Sequence, residues 1–360
     1  MQGPGHHKRD RILKHTNIDR ERENWADTLR AIVCIGVIMI HTVAPIVTDF
    51  NGTDRVIWTI SNLITSTLRF CVPIFLMLAG AFLLPRQMTF ADFLKRRFSK
   101  IIYPFLFWSA VYIAYEMIRK WSPEEVMNIP KVGRHMVSEL FHGAAYHFWY
   151  IYLIIGLYLF VPVIGVWARQ ATQKEMFFYL TIWFLLSFGN FPPFDRINNE
   201  IDLRYFSGYM GFMVLGYALS RMPDLGGRWP VWLLMALIGS MVTTISSHLL
   251  TLSLDSFKDT YYNYLTPNVI MGSAGLFLLF RNIRLKGTLW NRFAAIISRH
   301  SYGIYLSHIF FLSILSKFGI NSRFIHPAAG IPITLILATL LSVVTVRAIA
   351  RLPFGSRISG

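Results

Sequence analysis

The stretch WADTLRAIVCIGVIMIHTVAPIVT, residues 25–48, decides the fold. From Arg30 onward it is an apolar run about as long as a bilayer's hydrocarbon core requires of a helix. Arg30 and His41 stand eleven helical steps apart. At about 100° a step this is three turns, so both side chains share one face, on the order of 16 Å apart along the axis. The cation sits where the apolar run begins and the imidazole near mid-bilayer. An ionisable group at that depth costs energy that apolar packing does not offset, and it points to function.

The rest of the chain has the same character. A composition of 54% hydrophobic and 15% charged residues, with a mean hydropathy of +0.45, describes a polytopic membrane protein. Apolar windows predict an all-α bundle of ten transmembrane helices near residues 30–48, 60–84, 100–118, 146–167, 176–191, 204–220, 230–253, 264–281, 293–316 and 327–350. Lys and Arg favour cytoplasmic loops. With the N-terminus inside, the inside segments carry 23 of the 35 Lys and Arg and the outside segments 10, while Arg69 and Arg299 lie within helices. Both termini are therefore predicted to be cytoplasmic, with a polar tail over 1–24, a transmembrane domain over 25–351 and a short tail over 352–360. A cleaved signal peptide is not expected, because the first apolar segment starts late and has the length of a full span. The formal charge of +16 follows from this sorting and from attraction to anionic lipid, and gives no reason to invoke nucleic acid. Cys34 and Cys71 fall inside predicted helices, which indicates neither a disulfide framework nor a metal site.

Polar residues within the spans are the candidate functional groups. Arg69 lies about 15 residues into the second helix, roughly 22 Å deep, too far to snorkel easily. Ser301, Tyr305 and His308 follow an i, i+4, i+7 pattern on one face of the ninth helix, with His308 at a similar depth. Each of these three could equally be a polar staple between helices. Lys95, Arg96, Arg97 and Lys100 crowd the cytoplasmic mouth before the third helix. Such a flank is ordinarily topogenic, but beside an inward-facing Arg–His stripe it makes a phosphate site. Asp27, at i−3 from Arg30, is placed to pair with it. Among the outside acids Asp195, Glu200, Asp202, Asp255 and Asp259, charge sorting is the simpler reading than acceptor binding.

Five ordered blocks within residues 25–308 resemble the acyltransferase-3 family of integral membrane proteins. They are Trp25-Ala26-Asp27-Thr28-Leu29-Arg30 with His41-Thr42; Arg69-Phe70-Cys71-Val72-Pro73-Ile74-Phe75 with Ala79-Gly80; Arg96-Arg97-Phe98-Ser99-Lys100-Ile101-Ile102-Tyr103-Pro104; His147-Phe148-Trp149-Tyr150; and Ser298 through His308. Within the family the chain is most similar to the enterobacterial common antigen O-acetyltransferase branch. The resemblance implies acyl transfer, usually acetyl, from cytoplasmic acyl-CoA to a hydroxyl of a lipid-linked or surface polysaccharide, at the bacterial inner membrane. By position it makes His41 the catalytic base and Arg30 its motif partner, with Arg97 and Lys100, flanked by Arg96, beside the coenzyme. Lys100 departs from the Arg common there, keeping charge but losing planar bidentate recognition. Relatives with an extracytoplasmic hydrolase-like domain complete transfer in that domain; here direct transfer within the bundle is expected.

The residues accommodate this chemistry independently. Coenzyme phosphates would stay at the basic mouth while the pantetheine arm carries the thioester towards His41. His41 would take the acceptor's proton, and Arg69 would stabilise the oxyanion or hold the acceptor. Trp149, Ser301, Tyr305 and His308 would support the site. Acetyl-CoA is then a substrate and no cofactor is held permanently. Two other readings are a polytopic solute transporter, which the lack of an evident internal repeat weakens, and a non-catalytic scaffold of glycan assembly, which would tolerate loss of His41.

Overall fold

Pro73 shapes the second membrane segment. Its ring would collide with the carbonyl four residues back, that of Arg69, and it supplies no N–H. The chain answers with α2 (Arg55–Thr67), a 3₁₀ turn over Leu68–Phe70, and α3 (Cys71–Leu83) in place of the one regular helix expected over 60–84. Arg69 is thus carried on a break in the helix rather than on a regular turn.

The computed structural model describes residues 5–192, 208–223, 226–283 and 287–360, with side chains from residue 24 onward, and within these the regular elements are all helical. Six helical segments among the described residues are long and apolar enough to cross a bilayer: Asn24–Val47, Arg55–Leu83, Phe90–Lys120, Tyr146–Gln170, Trp229–Leu254 and Pro327–Ala350. The protein is a multi-pass membrane protein. Asp195, Glu200, Asp202 and the first residues of the sixth predicted window lie outside the described residues.

The first segment is the end of α1 (Gly5–Val47), which carries Arg30 and His41 without interruption. The third, α4 (Phe90–Lys120), begins ten residues before the window expected at 100, so that Lys95, Arg96 and Arg97 are helical instead of preceding a helix. Thr89 caps its N-terminus by accepting from the Asp92 N–H at 3.2 Å. Hydropathy marks where a helix enters hydrocarbon, whereas capping and propensity mark where it starts. The connection between the windows predicted at 100–118 and 146–167 contains α5 (Pro123–Met127), with a Ser122–Glu125 capping box, and α6 (Ile129–His142).

Beyond α7 (Trp149–Gln170), α8 (Gln173–Leu186) and α9 (Met210–Arg221) are shorter, α10 (Trp229–Leu254) is full length, and α11 (Pro267–Asn282) is short. The ninth window is two helices, α12 (Thr288–Arg299) and α13 (Ser301–Lys317), parted at His300. Helix α14 (Pro327–Ala350) precedes a turn of helix, α15 (Gly355–Ile358), which packs against α4 and α14 within the stretch expected as a tail.

Helix α1 is the hub, touching α2, α3, α11, α12, α13 and α14. Behind it α3 and α9 cross backbone to backbone. A Cβ on Gly80 would lie 1.9 Å from the Met213 carbonyl oxygen, and one on Gly216 would lie 2.0 Å from that of Met77. Small residues at such crossings let two helices approach where no water-driven force holds them. This holds the α2–α3 break, and Arg69 with it, against a rigid partner.

Candidate active site

Two cavities lie at opposite ends of the Arg30–His41 stripe, and no residue lines both. The first, about 550 Å³, is reached from the Ala26–Arg30 end of α1. The second, about 850 Å³, is lined by the Ile40–Thr48 end. Helical rise puts roughly 16 Å between the two groups. The two groups thus open onto separate cavities.

In the first cavity the predicted Asp27–Arg30 pair forms at 3.4 Å, and a serine from α12 bridges it. Arg30 Nη1 donates to Ser298 Oγ at 2.8 Å, and Ser298 donates to Asp27 Oδ1 at 2.5 Å. The guanidinium is thereby aimed by two helices, which a sequence of local pairs does not reveal. Arg97 and Lys100 also line this cavity, together with Ser301 and Tyr305, whereas Arg96 is exposed and lies outside its lining. Arg86 joins them, a cation that sequence reasoning missed because it sits in a connection. Arg169 fastens that connection by donating to the Leu84 and Arg86 carbonyls at 2.9 and 3.0 Å. Behind the cations the walls are apolar, including Phe75, Leu78, Phe82 and Ile154. Such a cavity suits a ligand with an anionic head and a long uncharged arm.

The second cavity holds His41, Arg69 and Trp149. His41 Nδ1 meets the Tyr146 hydroxyl at 3.1 Å. Arg69 lies with its guanidinium carbon 4.1 Å from the centre of the Tyr262 ring and donates to the Tyr264 hydroxyl at 3.4 Å. Trp149 stacks on Tyr264, with ring centroids 5.9 Å apart and planes 23° from parallel. Tyr209 stands 6.2 Å from Trp149. Asn190, Asn263, Thr260 and Asp259 complete a polar rim, so one of the outside acids does reach the site. Aromatic faces edged by amides, hydroxyls and a carboxylate suit a polyhydroxylated ring. Tyr209, Tyr262 and Tyr264 were not legible as site residues, because only the fold brings the segments before α9 and α11 beside Arg69.

The wall between the cavities is aromatic and contains two further histidines. His308 is fully buried, its ring 5.2 Å from that of His41. Its Nδ1 donates to the Tyr305 carbonyl at 2.6 Å, which puts the ring proton there and leaves the lone pair on Nε2. His147, 1% exposed, stands 5.0 Å from His308 and 6.4 Å from His41. The Tyr305 hydroxyl donates to the His147 carbonyl, and the Tyr305 and Tyr150 rings are 5.4 Å apart. Ser301 and Tyr305 therefore face the first cavity while His308, about 10 Å from Ser301 along α13, turns to His41. His147 stands in a quoted motif, yet a histidine opening a helix carried no sign of this contact. Among the described residues, the group placed to hold a metal, Glu116, His135 and Glu139, lies outside both cavities.

A family model described as an acyltransferase domain matches residues 23–347. No curated protein and no solved structure matches the chain.

Proposed function

This chain belongs to the acyltransferase-3 family, whose domain covers nearly its whole length, and from that premise we propose that it moves an acetyl group from cytoplasmic acetyl-CoA to a hydroxyl of a lipid-linked or surface polysaccharide. The observation that carries this reading is the pairing of a basic cavity and an aromatic cavity end to end across a histidine-bearing wall. Arg97, Lys100 and Arg30 hold the coenzyme's phosphates, and the apolar walls receive its arm. The thioester reaches His41 past the aromatic side chains between the cavities, and the acceptor sugar lies beside it on Trp149 and Tyr264. His41, with Nδ1–H given to Tyr146, takes the acceptor's proton on Nε2 as the oxygen attacks the thioester carbon. Arg69 lies beside the acceptor and stabilises the developing oxyanion. Within the family we assign it to the O-acetyltransferase branch that acts on enterobacterial common antigen, the branch its sequence most resembles.

The test is acetyl transfer by purified protein. CoA release that requires added glycan, with a gain of one acetyl mass on the glycan, is the expected outcome. Solute uptake by vesicles without acyl-CoA, with no acylated product, would replace the enzyme by a transporter.

We further infer ten spans in the inner membrane, the four beyond the six long ones being short or broken: α8, α9, α11 and the α12–α13 pair. The Lys/Arg partition supports both termini in the cytoplasm. A phosphatase fused after residue 360 should accordingly be inactive; an active fusion refutes this orientation.

A further inference from the structure

Away from both cavities, α4 and α6 bring three ligand-bearing side chains together. Helix α4 runs from Arg97 and Lys100 in the first cavity to Glu116 near its other end. There it meets α6, which carries His135 and Glu139 four residues apart, on one face. We propose that Glu116, His135 and Glu139 bind a zinc ion that clamps α6 to α4. This site does not depend on the acyltransferase reading, and its test reads metal rather than activity.

Three observations carry it. The donor atoms converge: one from each of the three half-buried side chains lies within 4.8 Å of the other two. A tetrahedral zinc ion about 2.1 Å from each ligand holds them about 3.4 Å apart. Side-chain rotations of about 1 Å therefore close the set, and water takes the fourth position. The donor types select the metal, because one imidazole with two carboxylates suits zinc, whereas Mg²⁺ and Ca²⁺ take oxygen ligands.

Finally, the imidazole is placed without being satisfied. His135 Nε2 is buried and has no hydrogen-bond partner among the described residues. Glu116 Oε2 stands 3.8 Å from it, beyond hydrogen-bond reach. The other oxygen of Glu116 accepts from Lys120 at 2.7 Å, which leaves Oε2 for the shared centre. Trp121 holds the imidazole in position, with ring centroids 4.9 Å apart. A buried polar nitrogen with no partner costs stability, and a metal bond removes that cost. The clamp also bears on the acceptor side, since α6 ends four residues before Tyr146, whose hydroxyl meets His41.

The experiment uses the full chain in detergent, free of any affinity tag, stripped with chelator and then titrated with Zn²⁺ against a chromogenic chelator. Wild type is compared with His135→Phe, which keeps a ring on Trp121, and with Glu139→Gln. Zinc taken up elsewhere on the chain is common to all three proteins and cancels in the comparison. Wild type should hold one more zinc per chain than either variant, or hold it at least about 100-fold more tightly, the upper end of what loss of even an outer-shell partner costs a metal site. Zinc should also raise the melting temperature of wild type and of neither variant. Equal zinc content and affinity in all three proteins overturns the site and leaves an ordinary ion-pair cluster. Should both variants fail to fold, wild type decides alone: a melting temperature that zinc does not raise, or that Ca²⁺ raises as far, overturns the zinc clamp.

Discussion

Replacing His41 by Ala should lower acyl transfer by about 10²–10⁴-fold, the range a positioned general base contributes, with coenzyme affinity unchanged. The separation of the cavities is the reason. His41 lines the acceptor side, and the first cavity's cations lie elsewhere, so truncating the imidazole removes a base without touching the coenzyme's phosphates. His41→Gln is the useful companion, since its amide can still meet the Tyr146 hydroxyl but cannot take a proton. Both should remain folded and monodisperse in detergent. Single-turnover acylation and titration of acyl-CoA separate the two effects, and normal turnover in either variant would remove His41 from catalysis.

Neutralising Arg97 and Lys100 together to Gln should do the opposite, weakening acyl-CoA binding by about 10–100-fold. Each charge-assisted contact to phosphate is worth about 1.5–3 kcal/mol when well formed, less here because Lys100 is exposed and Arg97 half-buried. Added salt should weaken wild-type binding in the same direction. The structure supplies an internal control in Arg96, adjacent in sequence and equally cationic but outside the cavity lining. Arg96→Gln should leave affinity within about twofold, since screened surface charges contribute little. Isothermal titration decides it. Unchanged affinity in the double variant would return both residues to a topogenic role. Arg69→Gln, by contrast, should lower turnover more than affinity, because Arg69 belongs to the other cavity.

Much of the architecture was legible because its cause is local. Hydrocarbon requires about 20 apolar residues per spanning helix, so hydropathy found the six long apolar segments, and each predicted window falls mostly on helix where the chain is described. The Arg30–His41 face followed from helical period alone, and α1 carries both residues in one helix. What hydropathy could not locate were helix starts and breaks. Those at Thr89, Pro73 and His300 depend on capping, ring sterics and packing rather than on transfer from water.

For the candidate site the division is sharper. A membrane acyltransferase chain, ionisable residues within its apolar segments and the basic cluster at one end were legible in the sequence, since these rest on composition, spacing and ordered motifs. Only the tertiary structure decided that Arg30 and His41 serve different cavities, that Ser298 aims Arg30 from 268 residues away, that Arg96 is set apart from Arg97, and that His147 and His308 meet beside His41. A residue's place along its own helix follows from a fixed rise of about 1.5 Å. Which neighbour faces it depends on how separate helices cross, and that is settled by contacts such as the glycine crossing of α3 and α9, which no single stretch of sequence contains.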